Sequence, residues 1–327
     1  MRALVTTAAA VMLASTIQFD RVSVSPLQAQ DRVAGVIAEA RKALGGEDNV
    51  AALKGLTAEG PFRRSMGGRD VEGTMTLTIV RPDKMRRVEE IAMGGMVGGP
   101  MIERTSVLSG NTAWDDNVNR GGMGGGRQIV MRGPGDGPPG GGPGLTPEQL
   151  NEARVRRMKV QMQRWLAALV AEAPRAWVDA GVAESPDGKA DILEAKDDTG
   201  RTLRLFIDQA THLPLMVQYQ DPKPIVMING GPGGPGGGPG GPGGRRRADG
   251  EPPRMTPEEM QKRMEELRRN PPQLGSYAMH LAEYKKVDGV MLPHKIDISL
   301  DGQPNEEWTV EKYKVNPAIK ADTWEKK

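Results

Sequence analysis

Residues 277–301 read YAMHLAEYKKVDGVMLPHKIDISLD. Two alternating runs, Tyr277 to Val287 and Val290 to Asp301, flank Asp288-Gly289. That pair suits a tight type I′ turn, whose two central residues both need positive φ. In the second arm Val290, Leu292, Ile296, Ile298 and Leu300 share one face, with His294 among them. Met291, Pro293, Lys295, Asp297, Ser299 and Asp301 share the other. A period of two with one apolar face predicts an antiparallel hairpin lying against a core.

The same alternation recurs upstream. Val71, Gly73, Met75, Leu77 and Ile79 alternate with Glu72, Thr74, Thr76 and Thr78. Arg81-Pro82-Asp83 makes a turn into a more charged strand, Lys84 to Ala92. Met101 to Leu108, Thr112 to Val118, Asp191 to Lys196, Arg201 to Asp208, Leu215 to Tyr219 and a last strand at Glu306 to Lys314 extend the series. The expectation is an α+β chain with an antiparallel sheet of about ten or eleven strands.

Helical spacing is confined to fewer places. Val33, Val36, Ile37, Ala40 and Leu44 follow Asp31, a candidate cap, and Gly45-Gly46 ends that run. Thr146-Pro147-Glu148-Gln149 and Thr256-Pro257-Glu258-Glu259 both spell a capping box with Pro at the first helical position. The first of these opens a helix whose Met158, Met162, Trp165, Leu166, Leu169 and Val170 form an apolar face that needs a partner surface. The second carries only a thin stripe of Met260, Met264 and Leu267.

Composition narrows the function classes. With 43 Gly and 26 Pro, concentrated in tracts, hydrophobic content falls to 37%. The tracts near 94–100, 121–144 and 229–253 lack the apolar surface needed to offset chain entropy, and read as disordered loop insertions. A net charge of +2 demands no nucleic-acid partner. The absence of Cys excludes disulfides, thiolate metal sites and a lipidated N-terminal cysteine. Arg2, the apolar run Ala3 to Ile17, and Leu27-Gln28-Ala29 before Gln30 read as an export signal over residues 1–29. The expected chain after its removal is one domain, 30–327, in the periplasm, with no transmembrane helix.

Enzyme motifs are missing. His212, His280 and His294 have no metal-ligand spacing, and no Gly-x-Ser-x-Gly elbow or Cys nucleophile is present. His294, on an apolar strand face, reads as a hydrogen-bonded core residue. The run Gly121 to Gly126 lacks the Lys-Ser/Thr of a phosphate loop. Asp115, Asn117 and Asn119 begin like a calcium loop, but Arg120 and Gly126 stand where Gly and Glu are needed. No catalytic residue, metal or cofactor is expected.

A larger constellation remains. Arg81-Pro82-Asp83-Lys84-Met85-Arg86 follows a Thr-rich strand, and Ser109-Gly110-Asn111-Thr112-Ala113-Trp114-Asp115 comes two strands later. Val287-Asp288-Gly289-Val290-Met291-Leu292-Pro293 and Val315-Asn316-Pro317 close the series. With the export signal, this order resembles the LolA/LolB-like family of envelope lipoprotein-sorting proteins, over about residues 31–114 and 201–315. The resemblance implies a strongly curved antiparallel sheet, an unclosed barrel with helices on its concave face and an apolar space for acyl chains. Without a lipidation cysteine the chain is similar to the soluble LolA type. It departs from the family in its Gly/Pro insertions and its large central helix.

The expected role is therefore a non-catalytic periplasmic carrier for lipid or lipidated protein, with an inner- or outer-membrane protein as a further partner. Met75, Leu77 and Ile79 would line one wall of the apolar cleft, and Met279, Leu281, Leu292, Ile296 and Ile298 another. Met side chains adapt to variable apolar ligands. The same residues could instead pack a dry core. The alternative function is an envelope sensor or protein-interaction module, with the Gly/Pro tracts as spacers.

Overall fold

The computed structural model describes residues 26–66, 69–92, 101–120, 146–186, 188–223 and 273–326. Residues 1–25 of the expected export signal (1–29), the three Gly/Pro tracts and the expected helix at 256–267 lie outside them, while residues 26–29 fall in the first helix.

Two helices open the described chain, α1 (Pro26–Ala43) and α2 (Glu47–Ala52). The meander β1 (Gly55–Met66), β2 (Arg69–Val80), β3 (Lys84–Ala92), β4 (Met101–Ser109) and β5 (Thr112–Arg120) follows, then the long helix α3 (Pro147–Val170). A second meander comprises β6 (Val178–Ser185), β7 (Gly188–Lys196), β8 (Thr202–Asp208), β9 (Pro214–Pro222), β10 (Leu274–Val287), β11 (Val290–Leu300), β12 (Gln303–Thr309) and β13 (Lys312–Val315). A short 3₁₀ turn at Ala321–Trp324 closes it.

The hairpin at 277–301 sets the frame. Asp288 takes φ 47° and Gly289 φ 91°, the positive values its turn requires. Met279 faces Ile298 and Leu281 faces Ile296 across the β10–β11 ladder. Every ladder is antiparallel, and among the described residues the strands form one thirteen-stranded sheet. Its order is β5-β4-β3-β2-β1-β12-β11-β10-β9-β8-β7-β6, with β13 also on β1. The two meanders are wings joined where β12 meets β1, and the sheet does not close: β5 and β6 are its edges. This is the α+β arrangement with a large open antiparallel sheet that the sequence predicts.

Three features take the ten expected runs to thirteen strands, the first being β1 (Gly55–Met66), which was not among them. The expected last strand, 306–314, divides into β12 and β13 because both lie on β1 at different points. Phe62 pairs with Trp308, whereas Ala58 pairs with Tyr313. Between them the chain crosses β1 so closely at Gly60 that a Cβ there would strike the Thr309 carbonyl. β6 was not expected at all. It carries Gly181 at φ 99° and a register shift between Asp179 and Val182, which breaks the alternation.

Helix α1 begins at Pro26, so Asp31 lies within it rather than capping it. Gly45 and Gly46 end it with φ of 127° and 95°. A Cβ on Gly45 would collide with the Gly289 carbonyl, so the helix end rests directly on the β10–β11 turn. Met291 N–H donates to the Leu44 carbonyl there at 2.8 Å.

The capping box at Thr146 forms as its sequence predicts, with Gln149 N–H donating to Thr146 Oγ1 and Thr146 N–H donating back to Gln149 Oε1. Helix α3 then packs against β4 and β5 of one wing and β8 and β9 of the other. These strands lie toward opposite ends of the sheet order, so the sheet curves around the helix. One apolar cluster joins α3 to every strand except β6.

Candidate functional site

The sheet face turned toward α3 carries every residue expected to line a cleft. Met75, Leu77 and Ile79 of β2 are buried, as are Met279 and Leu281 of β10 and Leu292, Ile296 and Ile298 of β11. They fall into two groups, separated in the sheet by β1 and β12. Trp308 of β12 stands between the groups and meets Trp165 of α3 edge-on, with ring centroids 5.6 Å apart. Met158 and Met162 of α3 belong to the same cluster. The sheet's apolar floor and the apolar stripe of the helix are therefore one surface pressed together.

His294 is half-buried. Its Nδ1 lies 2.7 Å from the Val310 carbonyl and its ring is edge-on to Tyr313. It serves the β11–β12 region of the core, as a hydrogen-bonded core histidine does.

The helix is tied down by polar contacts spaced along its length. Asn151 Nδ2 donates to the Asn111 carbonyl at 3.0 Å, and Ala113 N–H donates to Asn151 Oδ1 at 3.1 Å. Arg157 Nη2 donates to Asp115 Oδ2 at 2.7 Å, and Ser106 Oγ donates to the other oxygen of that carboxylate. Arg164 Nη1 reaches Asp221 at 2.9 Å on the opposite wing. Just past the C-terminus, Glu172 pairs with Arg81 at 2.6 Å. Beside the N-terminal half lies an open cleft of about 720 Å³, bordered by Asn111, Asn151, Arg156, Lys159 and Asp198. Val155, a member of the apolar cluster, also lines it.

A charged layer on the same face was missed by the sequence reading. Arg87 and Glu89 share the parity of Met85 and Ile91 on β3, and so point inward. Arg64 of β1 donates to Glu89 at 2.7 Å and to Glu306 of β12 at 2.5 Å. Arg87 pairs with Glu89 at 2.7 Å and Glu306 at 3.3 Å. Burial resists ionisation of Glu89, but Arg87 and Arg64 outweigh it and hold the carboxyl well below the usual carboxylate range. The signal was present in Met85, Arg87, Glu89 and Ile91, where charges occupy core-facing positions of a strand.

Farther along the layer, Asp221 binds both Arg164 and, at 3.3 Å, Arg201. The Arg164 guanidinium lies 4.1 Å from the Tyr219 ring centroid, and Tyr219 stacks on Tyr277 at 5.3 Å. Burial pushes the Tyr219 hydroxyl up to about 12, with Arg164 and Arg87 opposing the rise. Both tyrosines stay neutral at ordinary pH. Among the described residues no group of three or more His, Cys, Asp or Glu is placed to hold a metal, and no helix is long and apolar enough to cross a membrane.

No protein-family model matches the chain, and no curated protein matches it. Solved structures do. A DUF1329 family protein from Desulfovibrio piger is similar over 90% of this chain and 97% of its own, with 9% identity and a TM-score of 0.41. An outer membrane lipoprotein-sorting protein domain from Vibrio parahaemolyticus covers 90% and 97%, with 8% identity and a TM-score of 0.40. A LolA superfamily protein from Nitrosomonas europaea covers 90% and 98%, with 8% identity and a TM-score of 0.39. At such identities the likeness is one of fold.

Proposed function

We propose that this chain is a non-catalytic carrier in the bacterial envelope that shelters an acyl chain of a lipid or lipidated protein between α3 and the inner sheet face. The observation that carries the reading is the apolar floor of the sheet lying under the apolar stripe of α3. Met75, Leu77, Ile79, Met279, Leu281, Leu292, Ile296 and Ile298 supply the floor. Met158, Met162 and Trp165 supply the cover. In the present state the helix itself occupies the floor, so cargo binding requires α3 to shift. Each methylene transferred from water contributes about 0.8 kcal/mol. A chain of ordinary length could thus replace the contacts that the helix gives up. An export signal at residues 1–29, as the sequence is read, would fit a periplasmic location for such work.

The absence of cysteine allows a clean test. A cysteine pair replacing Asn111 and Asn151 would tether the start of α3 to the β4–β5 turn. The reduced variant is expected to take up a fluorescent fatty acid, and the oxidised one to lose most of that uptake. Equal uptake in both states would remove the shifting helix from the account.

The close packing of the floor against α3 favours a second reading, in which the sheet and helix form a solid scaffold that presents a surface to an envelope protein. That reading predicts no uptake in either state.

A further inference from the structure

The inner face changes character along its strands. On β1, Leu56, Ala58 and Phe62 precede Arg64; on β9, Val217 and Tyr219 precede Asp221; on β12, Trp308 lies inside Glu306. These charged positions gather toward one end of the strands, and Arg201, the residue before β8, joins them there. Side-chain exposure is 5% at Arg164 and 31% at Arg201, which share Asp221, so a buried and a partly exposed arginine meet at one carboxylate.

Its carboxylates are all engaged. Glu89 and Glu306 are shared by Arg64 and Arg87, and Asp221 by Arg164 and Arg201. Asp197, next to Arg201, spends one oxygen on the Thr199 N–H and hydroxyl and on the Arg201 N–H. Yet the Nε groups of Arg87 and Arg164 are buried and find no acceptor among the described residues. The Arg164 guanidinium covers the ring of Tyr219, and Arg87 shares Glu306 with Arg64. Guanidinium donors left over in a half-dry layer call for an oxyanion, and their planar geometry matches a phosphate or carboxylate.

We propose that this arginine layer receives the anionic headgroup of an amphiphile, with Arg164, Arg87 and Arg201 as its donors, while the chain of that amphiphile lies on the apolar floor. The assignment rests on the acyl-binding reading above and narrows its cargo to lipids with a phosphate or carboxylate head. Arg164 belongs to α3 and moves with the helix that shifts to admit the chain, whereas Arg87 and Arg201 stay with the sheet.

The test titrates the full chain with 1-lauroyl-lysophosphatidate, 1-lauroylglycerol and glycerol 3-phosphate, keeping the lipids below their micellar concentrations. Binding is read by calorimetry and by the intrinsic emission of the five tryptophans. The expected result is a preference of about tenfold or more for the lysophosphatidate over the neutral lipid, the scale of one or two charge-assisted hydrogen bonds. Arg164→Gln should bring that ratio close to one. Because that change strands Asp221, Arg201→Gln, at a more exposed position, carries the test if the first variant does not fold. A ratio near one in the unmodified protein overturns the headgroup assignment and leaves acyl binding standing. Glycerol 3-phosphate binding as tightly as the lysolipid would make the layer a free-phosphate site, and also overturns it. Binding of neither lipid removes this inference together with the carrier reading.

Discussion

Glu89 shows how strongly a single residue can be bound to its surroundings. Its carboxylate is buried between Arg64 and Arg87, and removing one member of such a group leaves the others uncompensated. We expect Glu89→Gln to cost about 3 kcal/mol at neutral pH. Because the folded-state pKa is depressed, the contribution of Glu89 is complete above the unfolded value of about 4.3 and is lost as pH falls below it. Urea midpoints at pH 7 and pH 3 check the sign: the gap between the unmodified protein and the variant should narrow at the lower pH. A gap that stays constant would mean the carboxylate is not held ionised by its neighbours. At this scale the sequence was only partly legible. The inward parity of Met75, Leu77 and Ile79 could be read because apolar residues alternate with threonines. The same parity at Arg87 and Glu89 was obscured because charge is ordinarily assigned to solvent. Their partners, Arg64 and Glu306, lie on strands brought alongside only by the tertiary fold.

Among the elements, α3 is the most exactly specified by local signals. Thr146, Pro147 and Gln149 determine where it starts, and the capping box forms as written. Thr146→Ala should destabilise the protein by about 1 kcal/mol, measured by thermal or urea unfolding. A larger loss would show that Thr146 does more than cap the helix. The β10–β11 hairpin was equally legible, since Asp288-Gly289 encodes its turn through backbone conformation alone. Elements governed by distant contacts were not. The division of residues 306–314 into β12 and β13 depends on how that segment crosses Gly60, some 250 residues earlier in the chain. β6 was lost because the bulge near Gly181 interrupts its alternation. The position of α3 against both wings was legible only as an apolar stripe in want of a partner.

As a whole, the described residues form a sheet left open at β5 and β6 around α3, with α1 and α2 also packed on its core and an apolar floor that gives way to an arginine layer at one end. The fold class could be read from alternation and turn chemistry. The mixed character of the inner face could not, because it is assembled from residues on many strands. That combination is what a carrier of amphiphiles needs: apolar surface for a chain, fixed charge for a head, and a cover held by a few polar ties. Native mass spectrometry of the protein isolated from the envelope under mild conditions tests this most directly. The account predicts a population carrying added mass in the range of a lipid, released when the fold is denatured. A protein that emerges at its bare mass, and stays bare after incubation with envelope lipids, would contradict it.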